Sequence, residues 1–263
     1  MDWMAGKAGR LRVEELGGGP GAPVVLVHGG GGDRSHWHAV APLLATDRRV
    51  VLFDQRGHGE SDAPTDGDLS LDALASDVAA VAFAFGLQAP VLVGHSLGGA
   101  VVAETVGRLP NRFAGAVFLD SAGDIRKLPA AELAEWRAST GPDRFRASSR
   151  AWFEHILSGA RPETRQHVLS TLGLTSRETY VGTMEAILRF DPAVVRRFTG
   201  PTLLLTVREL DSPLALRASL PDLPNAYLDE CSHWPHLDQP ERVAELVRGL
   251  LGQVDLARPR ATA

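Results

Sequence analysis

The chain has 263 residues, 44% of them hydrophobic and 22% charged, with a formal net charge of -5. That balance suits a globular protein with a sizeable core and lacks the basic excess that a nucleic-acid surface needs. The single cysteine, Cys231, excludes an internal disulfide; residues 1–10 hold no apolar signal segment, and no apolar run nears the ~18 residues of a membrane span.

In chain order, residues 11–16 alternate as a half-exposed strand does, and a turn at 17–23 leads to the continuous apolar run 24–27. Such a run marks a strand covered on both faces. It empties into His28 and the four glycines Gly29 to Gly32, followed by a predicted helix over 36–45. Residues 50–53 form the next buried strand. Ser70 stands as an N-cap before Leu71, Leu74, Val78, Val81 and Phe85 at helical spacing, and Gly86 is a fitting stop. A strand from Val91, a helix ending near Leu109-Pro110 and a strand over 116–119 complete an alternation that argues for a parallel sheet with helices on both faces. The alternation then breaks. Helical patterns at 130–139, 144–158, 162–172 and 176–190 follow without an intervening strand. Strand resumes at 202–207, with a short helix near 213–220, a strand near 225–229 and a last helix after Pro240. The expected organisation is a core over 1–123, a helical lid over 124–200, a second core segment over 201–252 and a frayed tail over 253–263.

The chemistry centres on Val91-Leu92-Val93-Gly94-His95-Ser96-Leu97-Gly98-Gly99-Ala100. An apolar strand running into Gly-x-Ser-x-Gly and then a helix reads as a nucleophile elbow, with Ser96 forced out above the sheet edge. The glycine spacing is wrong for a dinucleotide-binding turn, and no P-loop occurs. A serine hydroxyl needs a base and the base an orienting acid. In folds with this elbow the order is Ser, then acid, then His, so His233 in Ser232-His233-Trp234-Pro235-His236 is the candidate base, and His236 is read as a packing residue. Asp211 is the expected acid, placed on the loop after the 202–207 strand with Pro213 to fix the turn. Glu209 is the close competitor and Asp120, ending an earlier strand, the third candidate. The oxyanion donors are expected at Leu97 N–H and, from the glycine loop, Gly30 N–H, with His28 bracing that loop.

These stretches resemble the α/β-hydrolase superfamily, in its capped serine-hydrolase, esterase- or lactonase-like branch. The resemblance rests on His28-Gly29 with Trp37, Asp54-x-Arg56-Gly57-x-Gly59-x-Ser61, Gly94-His95-Ser96-Leu97-Gly98-Gly99, and Ser232-His233-Trp234-Pro235-His236 with Gln239-Pro240-Glu241. Two departures stand out: Ser232 where the family has Gly, and Val207-Arg208-Glu209-Leu210-Asp211 where it has Gly-Glu-x-Asp.

The resemblance implies an α/β fold with a mostly parallel central sheet and a helical cap inserted after the sixth strand. It implies hydrolysis of an ester, lactone or thioester of a small, largely apolar molecule through a Ser96 acyl-enzyme. Carbon–carbon hydrolases and hydroxynitrile lyases keep the same triad and stay open, as does a ligand receptor with little turnover. Epoxide hydrolases and dehalogenases use Asp as nucleophile, which Ser96 opposes. No cofactor and no metal site are expected. The expected partner is a small-molecule substrate, with no nucleic acid or membrane, in a cytoplasmic monomer or homodimer.

Overall fold

The computed structural model describes residues 3–257. Along the chain come β1 (Trp3–Ala5), β2 (Arg10–Gly17), β3 (Val24–Val27), α1 (Ala41–Leu44), β4 (Arg49–Phe53), α2 (Leu71–Ala84), β5 (Val91–His95), α3 (Leu97–Arg108) and β6 (Gly115–Leu119). Four helices follow without a strand: α4 (Ala130–Ser139), α5 (Phe145–Ile156), α6 (Pro162–Leu174) and α7 (Arg177–Ile187). The chain then returns to the sheet with β7 (Thr202–Val207), α8 (Leu216–Ser219), β8 (Asn225–Leu228), α9 (Pro235–Asp238) and α10 (Pro240–Ala257).

The eight strands form one sheet in the order β1-β2-β4-β3-β5-β6-β7-β8. The β1–β2 and β2–β4 pairings are antiparallel and every later pairing is parallel. The apolar runs are continuous because alternate side chains feed two separate cores. Val91 and Val93 of β5 pack with α1 and α10 on one face, whereas Leu92 packs with α2 and α3 on the other. Leu92 has no exposed surface, and truncating such a side chain to Ala costs about 2–5 kcal/mol.

Local signals set several boundaries. Ser70 Oγ accepts from Ala73 N–H at 3.2 Å and starts α2. The helix expected over 36–45 is broken into a 3-10 turn, Arg34–Trp37, and the short α1. Pro42 is the reason, since it lacks an N–H and fits only the first turn of a new helix. The three-residue β1 has no sequence signal and was not expected. The last helix does not stop at 252. Val254 is buried and Asp255 Oδ1 accepts from Ala22 N–H at 2.8 Å, so the first five residues of the expected tail are the docked end of α10. Residues 258–263 lie outside the described residues.

The inserted helices α5, α6 and α7 pack on the loops that follow β3 and β4, with Phe153 and Leu172 against Gly31 and Thr179 against Gly57. Phe145, Phe153, Leu157, Val168, Leu172 and Tyr180 form a third apolar cluster, joined by Trp234 from the loop after β8. Burial of that indole ties the loop to the lid, so the last core segment and the inserted helices share one packing unit.

Candidate active site

β5 ends at His95 and α3 starts at Leu97, so one residue makes the turn. Ser96 has φ 52° and ψ -118°, a backbone state that costs a non-glycine residue about 1–3 kcal/mol. It is held there by its N–H donating to Leu119 O at 2.9 Å and its carbonyl accepting from Gly99 N–H at 2.9 Å. A Cβ on Gly98 would collide with the carbonyl oxygens of Val27 and His28, which explains the glycine after the serine. Ser96 is partly exposed while its neighbours Val91 to His95 and Leu97 to Ala100 are buried.

His233 is anchored at three points. Its N–H donates to Ile156 O of α5 at 3.2 Å, its carbonyl accepts from His95 Nε2 at 2.7 Å, and its Nδ1 lies 2.6 Å from Asp120 Oδ2. The other carboxylate oxygen, Oδ1, accepts from Val207 N–H at 3.0 Å. An ionised carboxylate only accepts, so His233 carries its proton on Nδ1 and leaves the Nε2 lone pair free. Sheet register explains the pairing. His95 stands opposite Leu119, and Leu119 opposite Leu205, so Ser96 and Asp120 leave the ends of adjacent strands side by side. Asp120 also has a positive φ, 43°.

The expected acid, Asp211, is therefore corrected: the carboxylate on His233 belongs to Asp120. Asp211 follows a 3-10 turn, Arg208–Leu210, and its Oδ2 accepts from Arg217 Nε at 2.9 Å and from the Tyr227 hydroxyl at 3.0 Å. Tyr227 lies on β8 opposite Thr206, so the strand beside β7 captures the side chain. Glu209 accepts from Glu230 N–H at 3.3 Å and does not touch His233.

The loop after β3 lies against the elbow. A Cβ on Gly29 would stand 2.7 Å from His95 Nδ1 and 3.3 Å from Ser96 Cβ, so the close approach requires glycine. The same construction at Gly30 meets Leu97 Cδ2 at 3.6 Å and Met184 Cε of α7 at 3.5 Å, which puts Gly30 beside Leu97 and under the lid. Among the described residues the Gly30 and Leu97 N–H groups have no hydrogen-bond partner. Leu97 is the first residue of α3, where N–H groups lack intrahelical acceptors and the helix dipole is positive. His28 braces the loop from below. Its Nε2 accepts from Gln55 N–H at 3.0 Å, and its Nδ1–H donates to Gly29 O at 2.7 Å.

Imidazoles crowd the interior behind this site. His236 packs on Trp37 at 4.4 Å and on His95 at 4.5 Å between ring centroids, and His28 meets His58 at 5.1 Å. Burial, first among the causes, pushes His28 down to about 4 and His36 and His58 to about 3, and holds His95 and His236 well below the usual range. These rings are neutral at pH 7. Among the described residues no group of three or more His, Cys, Asp or Glu is disposed to hold a metal ion, and no helix is long and apolar enough to cross a membrane.

Comparison with known proteins identifies the fold family. The chain is 46% identical over 114 residues to the dihydrolipoyllysine-residue acetyltransferase component of the acetoin cleaving system of Pseudomonas putida, a match covering 43% of this chain and 30% of that protein. It is 28% identical to a 2-hydroxymuconate semialdehyde hydrolase of Pseudomonas sp. (strain CF600), over 95% of this chain and 94% of the relative. A thermophilic esterase from Thermogutta terrifontis superposes with a TM-score of 0.80 at 24% identity, covering 96% of this chain and 98% of its own. The model of the alpha/beta hydrolase fold family matches residues 22–194, and with the sheet order and elbow described above the chain belongs to that family.

Proposed function

We propose that the protein is a serine hydrolase that cleaves a carboxylic ester-type bond, an ester, lactone or thioester, in a small and largely apolar molecule. The observation that carries the reading is the 2.6 Å contact between His233 Nδ1 and Asp120 Oδ2, one strand away from a strained Ser96. In the proposed reaction Ser96 Oγ attacks the carbonyl carbon and its proton passes to His233 Nε2. Asp120 keeps the imidazole in the productive tautomer and stabilises the imidazolium that forms. The oxyanion is taken by the Gly30 and Leu97 N–H groups. Collapse breaks the bond to the leaving alcohol, which receives the proton from His233. Water then gives a proton to His233 and its oxygen bonds to the acyl carbon; collapse breaks the bond to Ser96 Oγ, which takes that proton back from His233 as the acid is released.

The test is hydrolysis of a panel of aryl esters, lactones and thioesters by the wild type and by Ser96→Ala. The substitution is expected to lower kcat on the order of 10⁶-fold with the fold intact, and a fluorophosphonate is expected to label Ser96 in the wild type. Retention of most activity in a clean Ser96→Ala preparation would overturn the assignment.

A second reading is favoured by one observation, the end-to-end match to a 2-hydroxymuconate semialdehyde hydrolase. The same three side chains could assist hydrolytic carbon–carbon cleavage, provided the departing carbon is stabilised as an enolate. Release of product from 2-hydroxymuconate semialdehyde at a higher kcat/KM than from every ester in the panel would favour that reading.

A further inference from the structure

His95 has no part in the reaction as written, yet it has no exposed surface and lies directly before Ser96. Its Nε2 is 2.7 Å from the main-chain oxygen of His233. A carbonyl can only accept, so His95 carries its proton on Nε2 and is the donor. That leaves Nδ1 deprotonated, with no partner among the protein side chains, facing the wall made by Gly29. The ring is wedged between the His233 ring at 4.7 Å and the His236 ring at 4.5 Å between centroids. The nucleophile and the anchor of the base are therefore consecutive residues. The His233 main chain is fixed on its N–H side by the lid, through Ile156 O, and on its carbonyl side by the strand that carries Ser96.

We infer that His95 is a positioning residue, whose Nε2–H bond to the His233 carbonyl sets the distance and angle between the base and Ser96. This rests on the serine-hydrolase reading above and adds a fourth side chain to it. The bond spans 138 positions of sequence and is reached from the residue next to the reacting oxygen, so a change in it moves His233 relative to Ser96 and not the two together. Nothing else at His95 needs an imidazole: a leucine would fill comparable space but could not donate, whereas a glutamine places an amide donor at similar reach.

The experiment compares His95→Leu and His95→Gln with the wild type on the best ester of the panel, alongside the second-order rate of fluorophosphonate labelling. Loss of alignment by an ångström is worth on the order of 10²-fold in rate, so His95→Leu is expected to lower kcat by about that factor, with KM changed less than about threefold and labelling slowed in parallel. His95→Gln is expected to recover most of the lost kcat. A kcat for His95→Leu within threefold of wild type, or equal impairment of the two variants, would overturn the inference. Should His95→Leu fail to fold, the wild type decides by nitrogen-15 NMR of labelled histidine, with the His95 signals assigned from their absence in His95→Gln. A fixed Nε2–H tautomer from pH 5 to 8 supports the clamp, and an Nδ1–H tautomer refutes it. That spectrum needs no turnover, so a failed clamp is distinguishable from a failed hydrolase assignment, which would show instead as absent labelling of wild-type Ser96.

Discussion

Asp120 and Asp211 follow the ends of neighbouring parallel strands, β6 and β7, yet they meet opposite surroundings. Asp120 leaves its strand with φ 43° and points one oxygen at the β7 backbone and the other at an imidazole. Asp211 sits beyond a 3-10 turn and is held by a guanidinium and a phenol. Strand register places a backbone, but the nearest competing donor decides what a carboxylate does. Arg217, six residues downstream, and Tyr227, one strand across, claim Asp211 before His233 can.

The sharpest way to break this comparison is to neutralise each aspartate in turn. Asp120→Asn is expected to lower kcat about 10³–10⁴-fold, because the amide can donate to Nδ1 and so stabilises the wrong imidazole tautomer. The check is steady-state kinetics with a thermal melt to confirm folding; a kcat within tenfold of wild type would return the acid to another residue.

Lowering the pH probes a third region, the buried histidines of the loops after β3 and β4. These rings are neutral, with His28 near 4 and His36 and His58 near 3 because burial disfavours their charged forms. An unfolded histidine titrates near 6.5. Between 6.5 and 4 the unfolded chain therefore binds more protons than the folded one, so the stability these rings permit is fully present above about pH 6.5 and is lost as pH falls. Each ring removes up to about 1.4 kcal/mol per pH unit. The apparent Tm is expected to drop by at least about 5 °C between pH 6 and pH 5, and equally so in Asp211→Asn, whose site holds no imidazole partner. A Tm independent of pH across that interval would show that the rings do not stay neutral in the fold.

The smallest effect belongs to Asp211→Asn in catalysis. With Asp211 engaged by Arg217 and Tyr227, kcat is expected to stay within about threefold of wild type. A loss of 10³-fold there, with Asp120→Asn mild, would reverse the comparison.

The elbow was readable because a strand of Val and Leu running into Gly-x-Ser-x-Gly leaves few other folds, and the two-faced core was readable because β3 to β6 lack polar alternation. The lid helices followed from periodicity in residues 130–190. The carboxylate partner of His233 was not readable in the same way. Chain order admits any carboxylate between Ser96 and His233 at a strand end, and only register and the capture of Asp211 separate the candidates. His95 was hidden for a related reason: its partner is a main-chain oxygen, which no residue type announces. β1 carries too few residues to show a period, and the true end of α10 depends on Asp255 meeting Ala22 and Arg48 from the far end of the chain.

The bond from His233 N–H to Ile156 O bears on how such an enzyme could be re-engineered. The lid here invites exchange, because it carries no strand and its two junctions with the core are joined by the Arg126–Asp191 ion pair at 3.2 Å. Here the transplant is not modular: removing α5 also removes the acceptor that steadies the main chain of the proposed base. A graft chosen only to reshape the pocket would alter turnover together with selectivity, unless the incoming helix ends with a carbonyl at the position of Ile156.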